Sequence, residues 1–288
     1  MIKLTPMEKE VLSNHPIGVF DSGVGGLSVL RAVRAELPHE ELIYVGDQAH
    51  VPYGSRSLKE VRQLSESVTR FLLAEGAKLI VVACNTASAA ALRCLREKYP
   101  QTPFVGMEPA VKPAAEHTLT GKVGVLATPA TFQGELYASV VERFAHGVEI
   151  YQDTCPGLVG QIETGRLATR KTRKILEQAL LPMLSAGIDT VVLGCTHYPF
   201  VMPLIQEIVG ADVRVIDPAP AVARQVRRVL EANSLLNNHD QDGDVRYLTS
   251  ADPVKLGRLL PKLLGEAGEV SRVVWTGDGL LELSDLSL

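Results

Sequence analysis

Short runs rich in valine and isoleucine alternate along this chain with segments whose apolar residues repeat at helical spacing. Runs that are apolar at nearly every position are typical of strands buried on both faces of a parallel sheet. We predict such strands at residues 17–20, 42–45, 79–83, 104–106, 123–126, 148–151, 190–194 and 213–216. The alternation of strands and helices predicts an α/β fold with mostly parallel sheets covered by helices.

Two helical segments are well marked. Apolar residues lie on one face of the segment 58–72, and Ser57 and Glu60 have the spacing of a capping box at its start. A second helical pattern spans 175–184.

A weak repeat relates the two halves of the chain. Residues 17–22 resemble 123–128 at an offset of 106, and residues 81–84 resemble 192–195 at an offset of 111. The similar offsets indicate a duplicated α/β domain, although Val-rich strands also look alike by chance. Ligands of open α/β sheets bind beyond the carboxyl ends of the strands. If the halves face each other, Cys84 and Cys195 line one cleft.

Composition narrows the class of protein. A chain of 288 residues suggests about two domains. A net charge of -4 without a basic patch argues against nucleic acid as a partner. The first ten residues lack a signal-peptide core, and no apolar run approaches the roughly 18 residues that span a membrane. Four sparse cysteines predict free thiols, with neither a disulfide framework nor a zinc site, in a cytoplasmic protein.

Cys84 follows the predicted strand 79–83, at the point where a helix should begin. A helix N-terminus stabilises a nearby thiolate, so we expect a lowered pKa for this thiol. Asn85 and Thr86 can hydrogen-bond a polar ligand. A buried cysteine that only fills space is the alternative.

Cys195 ends another predicted strand and is followed by Thr196 and His197. Histidine is a common general acid or base and can lower the pKa of a neighbouring thiol. The alternative is a turn in which His197 is bonded to the backbone.

The glycine-rich loop 21–26 follows the first strand. Glycines allow close approach of backbone N–H groups to an anion. The loop fits neither a Walker A nor a dinucleotide pattern, because Ser28 replaces the last glycine of the latter. A carboxylate ligand is therefore predicted, with Asp21 suited to an ammonium group or a proton relay. A tight turn without a ligand is the alternative.

Four motifs in order, at residues 20–27, 51–54, 82–88 and 193–199, resemble those of the glutamate racemases in the aspartate/glutamate racemase superfamily. The resemblance covers almost the whole chain from residue 17. It implies two similar facing α/β domains, 15–108 with 218–288 and 109–217, and an active site in the cleft between them. It implies no pyridoxal phosphate and no metal.

The resemblance also implies roles for individual residues. Cys84 and Cys195 would transfer protons, with Asp21 assisting Cys84, and with Glu163 and His197 assisting Cys195. The substrate-binding residues would be Asp21, Ser22, Pro52, Tyr53, Gly54, Asn85, Thr86, Thr128, Thr131, Thr196 and His197. From the residues alone, 52–54 suit a turn, Thr128 and Thr131 suit helix caps, and Glu163 suits the surface.

The implied partner is glutamate, and the implied role is supply of D-glutamate for bacterial peptidoglycan. We also expect a homodimer. Three alternatives stay open. A cysteine hydrolase could use Cys195 and His197, although adjacent side chains on an extended segment point apart and Cys84 would be unexplained. A carboxylate-binding protein would need no thiols, and an aspartate racemase would share the mechanism.

Overall fold

The computed structural model describes residues 11–237 and 239–284. Its strands are β1 (Ile17–Asp21), β2 (Leu42–Gly46), β3 (Leu79–Val82), β4 (Phe104–Gly106), β5 (Lys122–Ala127), β6 (Glu149–Asp153), β7 (Thr190–Gly194), β8 (Arg214–Ile216), β9 (Val245–Thr249), β10 (Val270–Trp275) and β11 (Leu281–Leu283). They form a large sheet of order β11-β10-β9-β2-β1-β3-β4 and a small sheet of order β6-β5-β7-β8.

Helices connect the strands. They are α1 (Leu27–Glu36), α2 (Leu58–Ala74), α3 (Asn85–Lys98), α4 (Val111–His117), α5 (Pro129–Phe132), α6 (Glu135–Phe144), α7 (Leu158–Glu163), α8 (Arg170–Ala186), α9 (Met202–Val209), α10 (Ala219–Asn233) and α11 (Pro253–Leu263). The capping box before α2 is confirmed, because Ser57 and Glu60 each accept the other's backbone N–H. None of the helices in the described part of the chain has the length and apolar character needed to cross a bilayer.

Parallel pairing brings the carboxyl ends of neighbouring strands to one edge of each sheet. β1 pairs in parallel with β2 and β3, and β5 pairs in parallel with β6 and β7. Only the pair β10–β11 is antiparallel among the described strands. Every residue of β1, β3 and β7 is buried, as expected for strands covered by helices on both faces. The predicted fold class is confirmed.

The end of the chain returns to the large sheet and adds three strands that the sequence pattern missed. β9 lies beside β2, and β10 and β11 extend the sheet to its edge. These strands carry exposed polar residues such as Arg246 and Arg272, so they lack the continuous apolar pattern. All strands of the small sheet lie between residues 122 and 216. The domain bounds 15–108 with 218–288 and 109–217 stay a prediction, and the signal-peptide argument concerns ten residues outside the described ones.

We predict that the returning strand contributes to the core of the large sheet. Leu248 in β9 is 1% exposed, whereas Val254 in α11 is 58% exposed. Leu248→Ala should lower the free energy of unfolding by about 2–5 kcal/mol, because it removes buried methyl groups and leaves a cavity. Val254→Ala is the control and should change it by less than about 0.5 kcal/mol. Equal denaturant midpoints for the two variants would contradict a packed role for β9.

Candidate active site

The two cysteines singled out from the sequence line one cavity. Cys84 follows β3 and is the N-cap of α3, and Cys195 follows β7. The lining residues are Ser22, Pro52, Tyr53, Gly54, Cys84, Asn85, Thr86, Thr128, Val159, Cys195, Thr196 and His197. Strand ends from both sheets therefore meet at this cavity, and Val159 is the one lining residue absent from the sequence prediction.

Three predicted site residues lie behind the cavity lining. Asp21 Oδ2 accepts a hydrogen bond from Thr196 at 3.0 Å, and Glu163 Oε1 lies 2.6 Å from His197 Nε2. The Thr131 hydroxyl lies 2.9 Å from that of Thr128. Each of the three contacts a lining residue, so it can act on a ligand through that residue.

The cavity is closed in this structure. Its volume is about 20 Å³, close to that of one water molecule, so an amino acid fits only in a more open form of this cavity. A larger cavity of about 670 Å³ lies between α3 and α6, but neither Cys84 nor Cys195 lines it. Cavity size alone therefore does not locate the chemistry.

Cys84 is held in a setting that favours the protonated thiol. Burial raises the pKa of this thiol well above its usual value, and the nearby charge of Asp21 raises it further. The Ala87 N–H donates to the sulfur at 3.4 Å, as expected at a helix N-terminus. The hydrogen bonds with Ala87 and Ser22 lower this pKa, but burial outweighs them, so the expected lowering is wrong.

Cys195 lies beside an imidazole and carboxylate pair. Its sulfur is 3.7 Å from His197 Nδ1, and the opposite ring nitrogen contacts Glu163. Burial lowers the pKa of His197, but the hydrogen bonds and charges of Cys195 and Glu163 outweigh it and raise that pKa well above its usual range. Burial raises the pKa of Glu163, but the bond and charge of His197 dominate and lower it. The pair is therefore an imidazolium and a carboxylate, and the imidazolium can donate to a sulfur anion.

The geometric objection to a Cys195–His197 contact is wrong. The chain leaves β7 at Gly194 and turns, with His197 at φ -72° and ψ -35°. The Tyr198 N–H donates back to the Cys195 carbonyl at 3.1 Å. Residues two apart share a face even on an extended strand, so the objection for adjacent side chains does not apply to this pair.

The glycine-rich loop binds two carboxylates of the chain itself. Gly23 N–H donates to Asp21 Oδ1 at 2.7 Å, and Val24 N–H donates to Glu163 Oε1 at 2.8 Å. These two N–H groups bind carboxylates of the chain itself, and a ligand carboxylate at the rest of the loop stays a prediction. A side chain at Gly23 would collide with Glu163, and one at Gly25 would collide with His197. The glycines allow the imidazolium–carboxylate pair to approach the loop.

Asn85 is the clearest candidate for direct ligand binding. Both atoms of its side-chain amide are buried, and neither has a hydrogen-bond partner among the described residues. Buried polar groups are almost always paired, so an unpaired amide at a cavity indicates a polar ligand. Thr86 and Thr128 share a hydrogen bond of 2.9 Å beside it, and Thr128 also caps α5.

Tyr53 is held by a residue that the sequence prediction missed. Its hydroxyl donates to Asp47 Oδ2 at 2.7 Å, and burial, followed by the charge of Asp47, raises the pKa of the tyrosine well above its usual value. Gln48 was also missed, and it donates to Glu163 Oε2 at 3.0 Å. Asp47 and Gln48 follow β2 directly. The rule that ligands bind at the carboxyl ends of parallel strands, which drew attention to Asp21, applies to them as well.

We predict that the charge of Glu163 keeps His197 protonated at neutral pH. In Glu163→Gln that charge is absent, so the pKa of His197 should fall. Since a histidine is charged below its pKa, the ring should lose its proton at lower pH in the variant. NMR titration of the imidazole measures this change, with Glu282→Gln at an exposed position as the control. Identical titrations of His197 in the two variants would contradict the ion pair.

Comparison with known proteins agrees with this geometry. Residues 27–226 match the family model described as Asp/Glu/Hydantoin racemase. The chain is 53% identical over 258 residues to the glutamate racemase of Pseudomonas aeruginosa, which covers 90% of this chain and 97% of that relative.

Solved structures show the same fold. The glutamate racemase isoform RacE1 of Bacillus anthracis has a TM-score of 0.81 at 33% identity, over 91% of this chain and 98% of that one. The glutamate racemase of Francisella tularensis, in complex with D-glutamate, has a TM-score of 0.79 at 30% identity, over 92% and 98% of the two chains. The chain belongs to the aspartate/glutamate racemase family, and it is therefore a racemase, an enzyme of the isomerase class.

Proposed function

We propose that this chain interconverts L-glutamate and D-glutamate without a cofactor, by moving the α-proton between two thiols. One observation carries the proposal: Cys84 and Cys195 come from the ends of strands in different sheets and line the same closed cavity. Two acids or bases on opposite sides of an α-carbon can remove a proton from one face and deliver another to the opposite face.

The electrostatic setting suggests the resting protonation states. Cys195 lies beside an imidazolium and acts as the thiolate, whereas buried Cys84 carries a proton. The thiolate takes the α-proton, so the C–H bond breaks, an S–H bond forms and the electron pair stays on the α-carbon. The other thiol then protonates the opposite face and becomes the thiolate. In a productive complex the reacting atoms should lie roughly 3–3.5 Å apart.

The developing charge on the α-carbon must be stabilised by the site itself. The substrate ammonium lies next to that carbon, and the amide of Asn85 with the hydroxyl of Thr86 can bind the carboxylate. Closure of the cavity excludes water and strengthens each of these interactions. Glutamate is favoured as the substrate because the relatives at 53% and 33% identity are named glutamate racemases.

The other functions considered for the chain explain fewer of its features. A cysteine hydrolase would use the contact between Cys195 and His197, but it would leave Cys84 in the cavity without a role. Aspartate is shorter than glutamate by one methylene and is the rival substrate. We further propose a cytoplasmic enzyme that supplies D-glutamate for peptidoglycan. The homodimer and the absence of a cofactor stay predictions.

The first test of the function is optical. We expect L-glutamate to lose its circular dichroism signal completely in chelator-treated buffer with no added cofactor, and L-aspartate to react much more slowly. The reason is that the two thiols carry the proton transfers without an electron sink or metal. An absolute requirement for pyridoxal phosphate or a metal ion would refute the proposal.

The second test separates the two thiols. Cys84→Ser and Cys195→Ser should each lower the racemisation rate by about 10²–10⁴-fold or more, because serine is too weak an acid to serve as the alternate base. Each variant should still eliminate the leaving group from one enantiomer of an activated glutamate analogue, since a single base suffices for that step. The two variants should prefer opposite enantiomers. A shared preference would show that the thiols do not act on opposite faces.

A further inference from the structure

Gln48 connects the two sheets at the site. It follows β2 of the large sheet, and its Nε2 donates to Glu163 Oε2 at 3.0 Å. Glu163 ends α7, which lies in the chain between strands of the small sheet. No sequence motif singled out Gln48, and it does not line the cavity.

The orientation of the Gln48 amide is set by the strand next to it. The Thr249 hydroxyl, at the end of β9, donates to Gln48 Oε1 at 2.9 Å. The same hydroxyl oxygen accepts the Ala251 N–H at 3.2 Å, which leaves its hydrogen for Gln48. Since Oε1 is occupied as an acceptor, the NH₂ group of the amide faces Glu163. Thr249 is fully buried, whereas Gln48 itself is partly exposed.

Glu163 receives most of its donors from the opposite half of the molecule. Val24 N–H and Gln48 Nε2 come from loops that follow β1 and β2, and only His197 comes from the segments of the small sheet. Both carboxylate oxygens are thus bonded across the closed cavity. An opening of the cavity that moved these loops away from α7 would break the bonds to Glu163.

We propose that Gln48 is a positioning residue that completes the acid/base site at Cys195 when the two halves close around the substrate. The inference rests on the proposed function, in which Cys195 transfers a proton, and it concerns the path from Gln48 through Glu163 and His197 to that sulfur. With Gln48 in place the carboxylate holds the imidazolium against Cys195. Without it, Oε2 has no donor and the carboxylate can rotate away.

Isotope effects can test this role, because Gln48 serves only one of the two thiols. L- and D-glutamate have equal free energies, so kcat/KM must stay equal in the two directions for every variant. A slower proton transfer at Cys195 instead makes that step more rate-limiting. The kinetic isotope effect of α-deuterated glutamate should then rise for the enantiomer that Cys195 deprotonates, and fall for the other. The Cys84→Ser variant identifies the first enantiomer, since only Cys195 remains in it.

The variants form a graded series. Gln48→Ala removes the donor and should lower kcat/KM about 3- to 10-fold, with the asymmetric isotope effect. Gln48→Glu places a second carboxylate against Glu163 and should be slower at neutral pH, with partial recovery at lower pH as one carboxyl gains a proton that it can donate. Thr249→Val removes the orienting hydroxyl and should resemble a weaker Gln48→Ala, whereas Thr249→Ser should restore wild-type behaviour. Gln101→Ala, at an exposed position, is the matched control.

NMR titration of His197 provides a readout that needs no activity. The pKa of this ring should shift in Gln48→Ala relative to Gln101→Ala, because Glu163 is held less firmly beside it. If the wild type fails to racemise glutamate, the proposed function is wrong whatever Gln48 does. If the wild type is active but Gln48→Ala gives the isotope effects and titration of Gln101→Ala, the role of Gln48 is refuted. If Gln48→Ala does not fold, Thr249→Val and Thr249→Ser decide the question by the same two measurements.

Discussion

The buried pair of Glu163 and His197 is the interaction on which the arrangement of the site depends. Two charges removed from water are destabilising unless hydrogen bonds satisfy them on every side. The segments around the small sheet provide the bond between the two partners, at 2.6 Å, and the contact of His197 Nδ1 with Cys195, at 3.7 Å. The remaining donors to the carboxylate, Val24 N–H and Gln48, come from loops of the large sheet. The pair is therefore stable where the two halves meet, and the glycines of the loop 21–26 leave the room that this approach requires.

The two thiols are related by position but not by environment. Each follows the carboxyl end of a central strand, yet Cys84 lies near a carboxylate and Cys195 near an imidazolium. Burial favours the protonated form of Cys84. The imidazolium beside Cys195 provides a donor for a sulfur anion there, and the proposed reaction therefore begins with the proton on Cys84. A pair of thiols with one proton is the state in which one group can accept and the other can donate, as the proposed reaction requires.

The features that could be predicted from the sequence are those that depend on residues close together in the chain. The eight predicted strands and the capping box at Ser57 depend on local periodicity and pair spacing, and they were correct to within about two residues. The positions of Cys84 and Cys195 at strand ends are equally local. The raised pKa of Cys84 and the use of the Val24 N–H by Glu163 were not predictable, because both depend on groups that are distant in sequence. β9 to β11 were missed because exposed polar residues such as Arg246 and Arg272 interrupt their apolar pattern.

The return of the chain to the large sheet after the small one brings hydrogen-bond donors to a buried carboxylate near the site. Asp47 is buried, and it accepts hydrogen bonds from Tyr53 at 2.7 Å, Ser250 at 2.6 Å and Trp275 at 2.8 Å. Burial raises its pKa, but bonds from His50, Ser250 and Tyr53 outweigh that effect and lower it, so the group is ionised. The two donors from the C-terminal segment thus hold the carboxylate that orients Tyr53 in the cavity wall. Among the described residues, none of β9 to β11 lines the cavity. Thr249 nevertheless holds the side chain of Gln48, and Ser250 and Trp275 hold that of Asp47. The strands β9 and β10 do not line the cavity, but they influence it through the side chains of Asp47 and Gln48, which follow β2.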